Sequence, residues 1–452
     1  MANIFLAWQN RADEAILSGG SWLSSLPITN MQNRQLQKVA RTSNAALTST
    51  RFDIDLQQGR PIGVLALVNH NISVTGRIQI TGAATAASLA NLFTTFTNDF
   101  SNAAWTKGNV SVTPNTSNVF APDGSSTAAQ ILGTATTEAN VYRQISLPGT
   151  STVTHNIYLQ AGSTSAAATK ITWMTGGTTQ TASCSIDLLT GEVSAITGTA
   201  SSITAWSVDA GNGWWLLTLS GTGTSAGNTV VRYEFEVFGG KSIYAWGAFI
   251  TQAEPRIYVS PYIDVWPNGI VVPELLEWEQ DNFWLGTLTQ EQRDQYQSPF
   301  INKMPEPDTA QYWRVEVFDV DNPDGYIEIG RLFLARGWTP AINYAYGADF
   351  GYQDITPVDR SLSGAEYFDI RPKFRVMKFG LEYIEDKDTY SFALDLQRVA
   401  GISGEVLIIP DGGENLSRQP LISYLGRLNQ LTPIAQTQPT AYNVSFEVKE
   451  LL

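Results

Sequence analysis

Between residues 86 and 254 the chain almost stops using charge: 14 of its 70 Asp, Glu, Lys and Arg side chains fall in these 169 residues, against 56 in the other 283. The block is rich in Thr, Ser, Ala and Gly, yet it carries Trp105, Trp173, Trp206, Trp214, Trp215 and Trp246. Such content suits short strands joined by polar turns, with aromatic side chains left for a core or a ligand platform.

The flanks also read as strands. Residues 51–56 alternate strictly, with Phe52, Ile54 and Leu56 on one face and Arg51, Asp53 and Asp55 on the other, as a half-buried antiparallel strand requires. Residues 63–68 form a continuous apolar run, a buried strand. Residues 77–80 lead into the charge-poor block and 256–259 resume β-branched and aromatic chain after it. The pattern predicts one sandwich interrupted by another, inserted where two strand ends lie close together. Residues 314–318 and 326–329 flank a Pro/Asp/Gly-rich stretch at 319–325, which predicts a hairpin. Helix is scarce, with short candidates at 289–296 and 391–399. No fixed-period repeat is present, which argues against a solenoid or propeller.

Bulk properties remove several function classes. A chain of 452 residues predicts roughly three domains. A net charge of −14 and no basic run argue against a nucleic-acid partner. No 18-residue apolar stretch occurs, so no membrane-spanning helix is expected. The opening residues lack a basic segment followed by a long apolar run, so no signal peptide is expected. The single cysteine, Cys184, removes disulfides within the chain and multi-cysteine metal sites, and it reads as a buried, inert thiol.

The catalytic inventory is thin. The chain has two histidines, His70 and His155. His70, between Asn69 and Asn71 at the end of a buried run, reads as a hydrogen-bonded structural residue. Residues 223–227 match Gly-x-Ser-x-Gly but lie in a turn-like run with no helix pattern behind them, so no nucleophile elbow is expected. Asp319, Asp321 and Asp324 lack the spacing of a calcium loop and read as turn residues. Glu234 and Glu236 share one face of a strand and read as solvent-facing, without the cleft that a glycosidase pair needs. The expectation is no catalytic residue, no metal and no cofactor. The alternation at 213–218 turns Trp214 and Trp215 to opposite faces.

Two resemblances join these observations. Residues 26–31 (Leu-Pro-Ile-Thr-Asn-Met), Arg41 to Ser43, the strand at 52–56 and the run 64–71 resemble the start of a discoidin-like (galactose-binding-like) β-sandwich of bacteriophage minor tail proteins. Residues 262–267 and 321–333 are similar to later parts of those proteins, and 346–352, Arg371, Pro372, Phe446 and Glu447 to their C-terminal β module. Separately, residues 91–93, 99–105, 121–124, 211–215 and 244–249 resemble a carbohydrate-binding-type jelly roll embedded in phage structural proteins. The resemblance implies an all-β chain in three parts. Residues 1–87 and 255–342 form a discontinuous discoidin-like sandwich, 88–254 an inserted lectin-like jelly roll, and 343–452 a β-rich tail-assembly module with little helix. It also implies a non-enzymatic structural protein, made in the host cytoplasm and placed at the distal end of the virion tail. There it would form a homo-oligomeric ring beside the hub, the tube end and the fibres, with the insert touching a host surface glycan. The alternative is a purely structural protein whose insert is a stabilising decoration. In the resembling jelly rolls Trp105 and Trp246 correspond to core positions, which leaves Trp206, Trp173 and Tyr142 as candidate carbohydrate contacts.

Overall fold

The computed structural model describes residues 3–73, 76–135, 139–252, 258–259, 263–264, 299–412 and 422–452. The chain is all-β, built of antiparallel sheets. It divides into two compact units: residues 1–76, 264–309 and 317–452 in the first, residues 77–263 and 310–316 in the second.

Unit 2 contains a sandwich of two six-stranded sheets. Sheet I runs in spatial order Ser201–Asp209, Trp214–Thr222, Thr152–Ala161, Ser242–Thr251, Ala129–Gly133, Val110–Thr113. Sheet II runs Val193–Gly198, Gln180–Asp187, Ala166–Met174, Val230–Val237, Ala139–Ser146, Thr106–Gly108. Strand Gln180–Asp187 shows why the block needs so little charge. Gln180, Ala182, Cys184 and Ile186 turn inward, while Thr181, Ser183, Ser185 and Asp187 turn outward, so small hydroxyls meet the solvent where another protein would use Lys or Glu. Between the sheets lies an aromatic core in which Phe100 sits 5.0 Å from Trp105 and 5.2 Å from Phe235, both edge-on. The Trp105 indole N–H donates to the Phe96 carbonyl at 2.8 Å, so its burial leaves no polar atom stranded.

Unit 1 is layered differently. Sheet III runs Phe5–Trp8, Val406–Ile409, Tyr424–Leu428, Ala441–Glu450, Phe374–Glu385, Asp349–Gln353, with Ala435–Gln438 added beside Ala441–Glu450. Both its faces are buried near the N-terminal strand. Leu6 and Trp8 pack with Phe379, Leu396 and Val448 on the side of the helix at 386–400, while Phe5 and Ala7 pack with Val64, Ala66, Phe333 and Leu407 on the other. Residues read from the sequence as belonging to separate modules, 1–87 and 343–452, thus share one sheet: Phe5 stands opposite Ile409 and Trp8 opposite Val406.

The strands read at 51–56 and 63–68 are one strand, Phe52–His70, with Phe52, Ile54 and Leu56 buried as their alternation demands. The hairpin expected around 319–325 does not form. Strand Phe52–His70 lies between Phe300–Phe318 and Glu328–Ala335 in the sheet, and Leu332 pairs with Leu67. The turn itself is built as a polar knot: Asp319 accepts from the Ser73 backbone N–H at 2.8 Å and from Asn322 at 2.7 Å. The helix expected at 391–399 is present within 386–400. The one expected at 289–296 lies outside the described residues.

Candidate functional site

The three aromatic candidates are not brought together. Trp173 is fully buried in the core of unit 2, its indole N–H donating to the Ser151 carbonyl at 3.2 Å, so the expectation that it contacts a ligand is corrected: it is a core residue. Trp206 is half-buried on the edge strand of sheet I. Tyr142 is half-buried on sheet II, in strand Ala139–Ser146.

The outer faces of the two sheets differ. On sheet I that face is closed. Trp214, Tyr158 and Trp246 form a second apolar cluster with Ala121 and Ala128, and Thr154, Asn156, Thr218 and Ser220 beside it are buried. The Trp214 and Trp246 indoles donate to the Phe120 carbonyl and to the Thr127 hydroxyl, each at 2.9 Å. Trp215 turns the other way and packs against the main core, as the alternation predicts.

On sheet II the outer face is open and polar. Strand register aligns Ser183, Lys170, Glu234, Tyr142 and Thr106 in one row across five strands. Thr181, Thr172, Arg232 and Gln144 form the row on one side, and Ser185, Ala168, Glu236, Asn140 and Gly108 the row on the other. At the centre Glu234 is fully buried, correcting the reading that it faces solvent. Its carboxylate sits 3.1 Å from the Lys170 ammonium and 3.0 Å from the Arg232 guanidinium, and it accepts from the Asn140 amide at 3.2 Å. Arg232 also lies over the Tyr142 ring, 4.9 Å from its centroid. Gly108 leaves room for this arrangement, because a Cβ there would stand 2.4 Å from the Asn140 side-chain oxygen. The sequence showed Glu234 and Glu236 on one face. It could not show Lys170 and Asn140 beside them, because cross-strand register brings together residues 64 and 94 positions from Glu234 in the sequence.

Chemically this face is a hydrogen-bonding platform. Both Glu234 oxygens are engaged by cations and an amide, which suits a fixed acceptor and not a proton shuttle. Among the described residues, both histidines and the cysteine are shifted by burial. His155 is buried between the sheets, with Nδ1 3.0 Å from the Thr169 hydroxyl, and burial holds it well below the ordinary histidine range. Burial likewise lowers His70 to about 4, where its Nδ1 accepts from the Ile72 backbone N–H at 3.2 Å. The Cys184 thiol is buried and pushed up to about 12 by desolvation. Ser225, in the Gly-x-Ser-x-Gly match, sits in the connection between two strands, its backbone N–H donating to Gln180 at 2.9 Å.

No protein-family model matches the chain, and no curated protein matches it. Among solved structures, it is similar to the CBM22-1 and GH10 modules of the Clostridium thermocellum N-terminal endo-1,4-β-D-xylanase 10B complexed with xylohexaose, at 12% identity and a TM-score of 0.25. The match covers 35% of this chain, which spans 28% of that protein's length.

Proposed function

We propose that this chain is a non-catalytic structural protein of a bacteriophage tail tip, and that the outer face of sheet II binds a host surface glycan. The glycan reading is carried by one observation: Tyr142, Lys170, Arg232, Glu236 and Asn140 converge on an accessible sheet face whose counterpart on sheet I is already closed. Fixed charged and amide groups can share the hydroxyls of a sugar between donors and acceptors, and a ring among them adds an apolar contact. The tail-tip part rests on the sequence resemblance, which also motivates a ring of copies at the distal end of the virion tail.

A glycan array probed with the full chain and with its Tyr142→Ala and Lys170→Ala variants tests the site. Binding that survives both changes removes it. Antibody-gold labelling of virions tests the location: label on the capsid, along the tube or absent from particles overturns the tail-tip reading. One observation favours the alternative of a stabilising decoration. Glu234 is satisfied within the protein by Lys170, Arg232 and Asn140, a network that needs no ligand to be complete. A chain that binds no array glycan, yet melts lower when Glu234 is replaced, supports that second reading.

A further inference from the structure

We propose that residues 346–373 of unit 1 dock on a second copy of this chain. Every residue from 349 to 373 is exposed except Thr356 and Ser361, which are half-buried. The composition is wrong for a solvated loop. Phe350 is 75% exposed, Tyr352 61%, Tyr367 64% and Phe368 57%, while Tyr346 and Leu362 are exposed completely. Monomeric proteins rarely leave so much contiguous chain apolar and uncovered.

Three features identify the occupant. The first is area. At ~150–250 Å² per aromatic ring, the exposed fractions of these five aromatics amount to on the order of 700 Å², close to the roughly 800 Å² that each partner contributes to a standard protein interface. That is more than a short glycan covers and suits a folded partner. The second is backbone. Strand Asp349–Gln353 ends sheet III and pairs on one side with Phe374–Glu385, leaving its other edge without a strand among the described residues. An open edge is completed by another polypeptide strand and by no sugar or lipid. Next to it, strands Val358–Arg360 and Glu366–Phe368 form a two-stranded hairpin exposed on both faces, a unit too small to be stable alone. The third is charge. The segment carries Asp349, Asp354, Asp359, Glu366 and Asp369 against Arg360, Arg371 and Lys373, so an anionic membrane would repel it. A folded protein with an open strand edge of its own meets all three requirements, and a second copy of this chain presents such an edge in the same strand, Asp349–Gln353, so two copies can pair edge to edge. This assigns residues to the ring proposed above, but its test is made in solution and is decided apart from any location in a virion.

The experiment is sedimentation of the full chain through the micromolar range, where interfaces of this size begin to associate. The wild-type chain is expected to form a defined oligomer, and the Phe350→Ser, Tyr352→Ser double variant to sediment as a monomer with an unchanged β circular dichroism spectrum. Because both positions are exposed, folding should not be at stake. A second reading comes from Gly351→Cys, where a Cβ meets no atom within 4 Å and where Cys184 is buried and does not compete for reagent. Maleimide labelling of that thiol should slow by roughly tenfold on assembly, tracking the open fraction. A wild-type chain that stays monomeric overturns the proposal. So does an oligomer that the double variant leaves intact, or one in which labelling at 351 is not slowed.

Discussion

Tyr142 and Trp173 are both aromatic residues on strands of sheet II, and strand parity separates their fates. Trp173 has the full weight of the unit 2 core around it, so Trp173→Ala is expected to destabilise the protein by about 3–5 kcal/mol. Tyr142→Ala should change stability by less than about 1 kcal/mol and act on glycan binding instead. Thermal melts of both variants check this; a Tyr142 change that unfolds unit 2 would make the ring structural. Which way a lone aromatic turns was not legible without its strand's register, whereas adjacent Trp214 and Trp215 had to diverge whatever the register. The histidines give a pH prediction. Both are held neutral in the folded state, His70 at about 4 and His155 also well below 6.5. Below pH 6.5 the unfolded chain takes up protons that the folded chain refuses. Their contribution is therefore complete above that pH and is lost as pH falls, at about 1.4 kcal/mol per histidine per unit. Calorimetry between pH 7 and 5 should show the fall, and His70→Asn should reduce it; equal slopes in the two proteins would sink the assignment.

At the scale of elements, the strands were legible and their neighbours were not. Alternation at 51–56 placed Phe52, Ile54 and Leu56 correctly because the period of a half-buried strand is written in consecutive residues. The expected hairpin at 314–329 failed because the strand that separates its arms, Phe52–His70, comes from far earlier in the sequence, and local turn chemistry carries no word of it. The same long-range logic ties unit 1 together through Arg331. Its buried guanidinium holds Glu405 at 2.6 Å, reaches Asp13 at 2.7 Å and donates to the Met31 carbonyl at 3.3 Å. Removing one partner of a buried pair strands the other's charge in a poor solvent, so Glu405→Ala should lower stability by about 3–5 kcal/mol. Asp13, whose carboxyl is raised from its ordinary value by desolvation and by the nearby Glu405 despite Arg331, is the anionic partner that remains. Urea unfolding followed by intrinsic fluorescence measures the loss. A change below about 1 kcal/mol would mean that water or Asp13 compensates, and that Arg331 is no keystone.

For the whole molecule, composition and packing mark different borders. Charge falls away near residue 86, and the sequence therefore placed an insert at 88–254. Unit 2 begins at residue 77, because strand Arg77–Ala83 packs within it. The Gln79 amide donates to the buried Tyr158 hydroxyl, and Arg77 to the Pro122 carbonyl at 2.7 Å. Composition reports solvent and could not see these contacts, since a strand with both faces covered looks the same whichever core it serves. The consequence can be measured on two fragments. All twelve strands of sheets I and II lie between residues 106 and 251, and their core draws on residues 93–250, so both 88–254 and 77–263 are expected to melt cooperatively as β proteins. The shorter one removes the Gln79 hydrogen bond to the Tyr158 hydroxyl and uncovers apolar surface around it. A single such loss of about 1 kcal/mol shifts the midpoint by about 2–4 °C in a domain of this size, so 77–263 should melt higher by at least that much. If 88–254 melts at the same temperature, strand Arg77–Ala83 adds nothing to unit 2 and the border belongs where the charge changes. If 88–254 does not fold while 77–263 does, that strand is part of the sandwich's own core and any deletion of the insert must remove it as well.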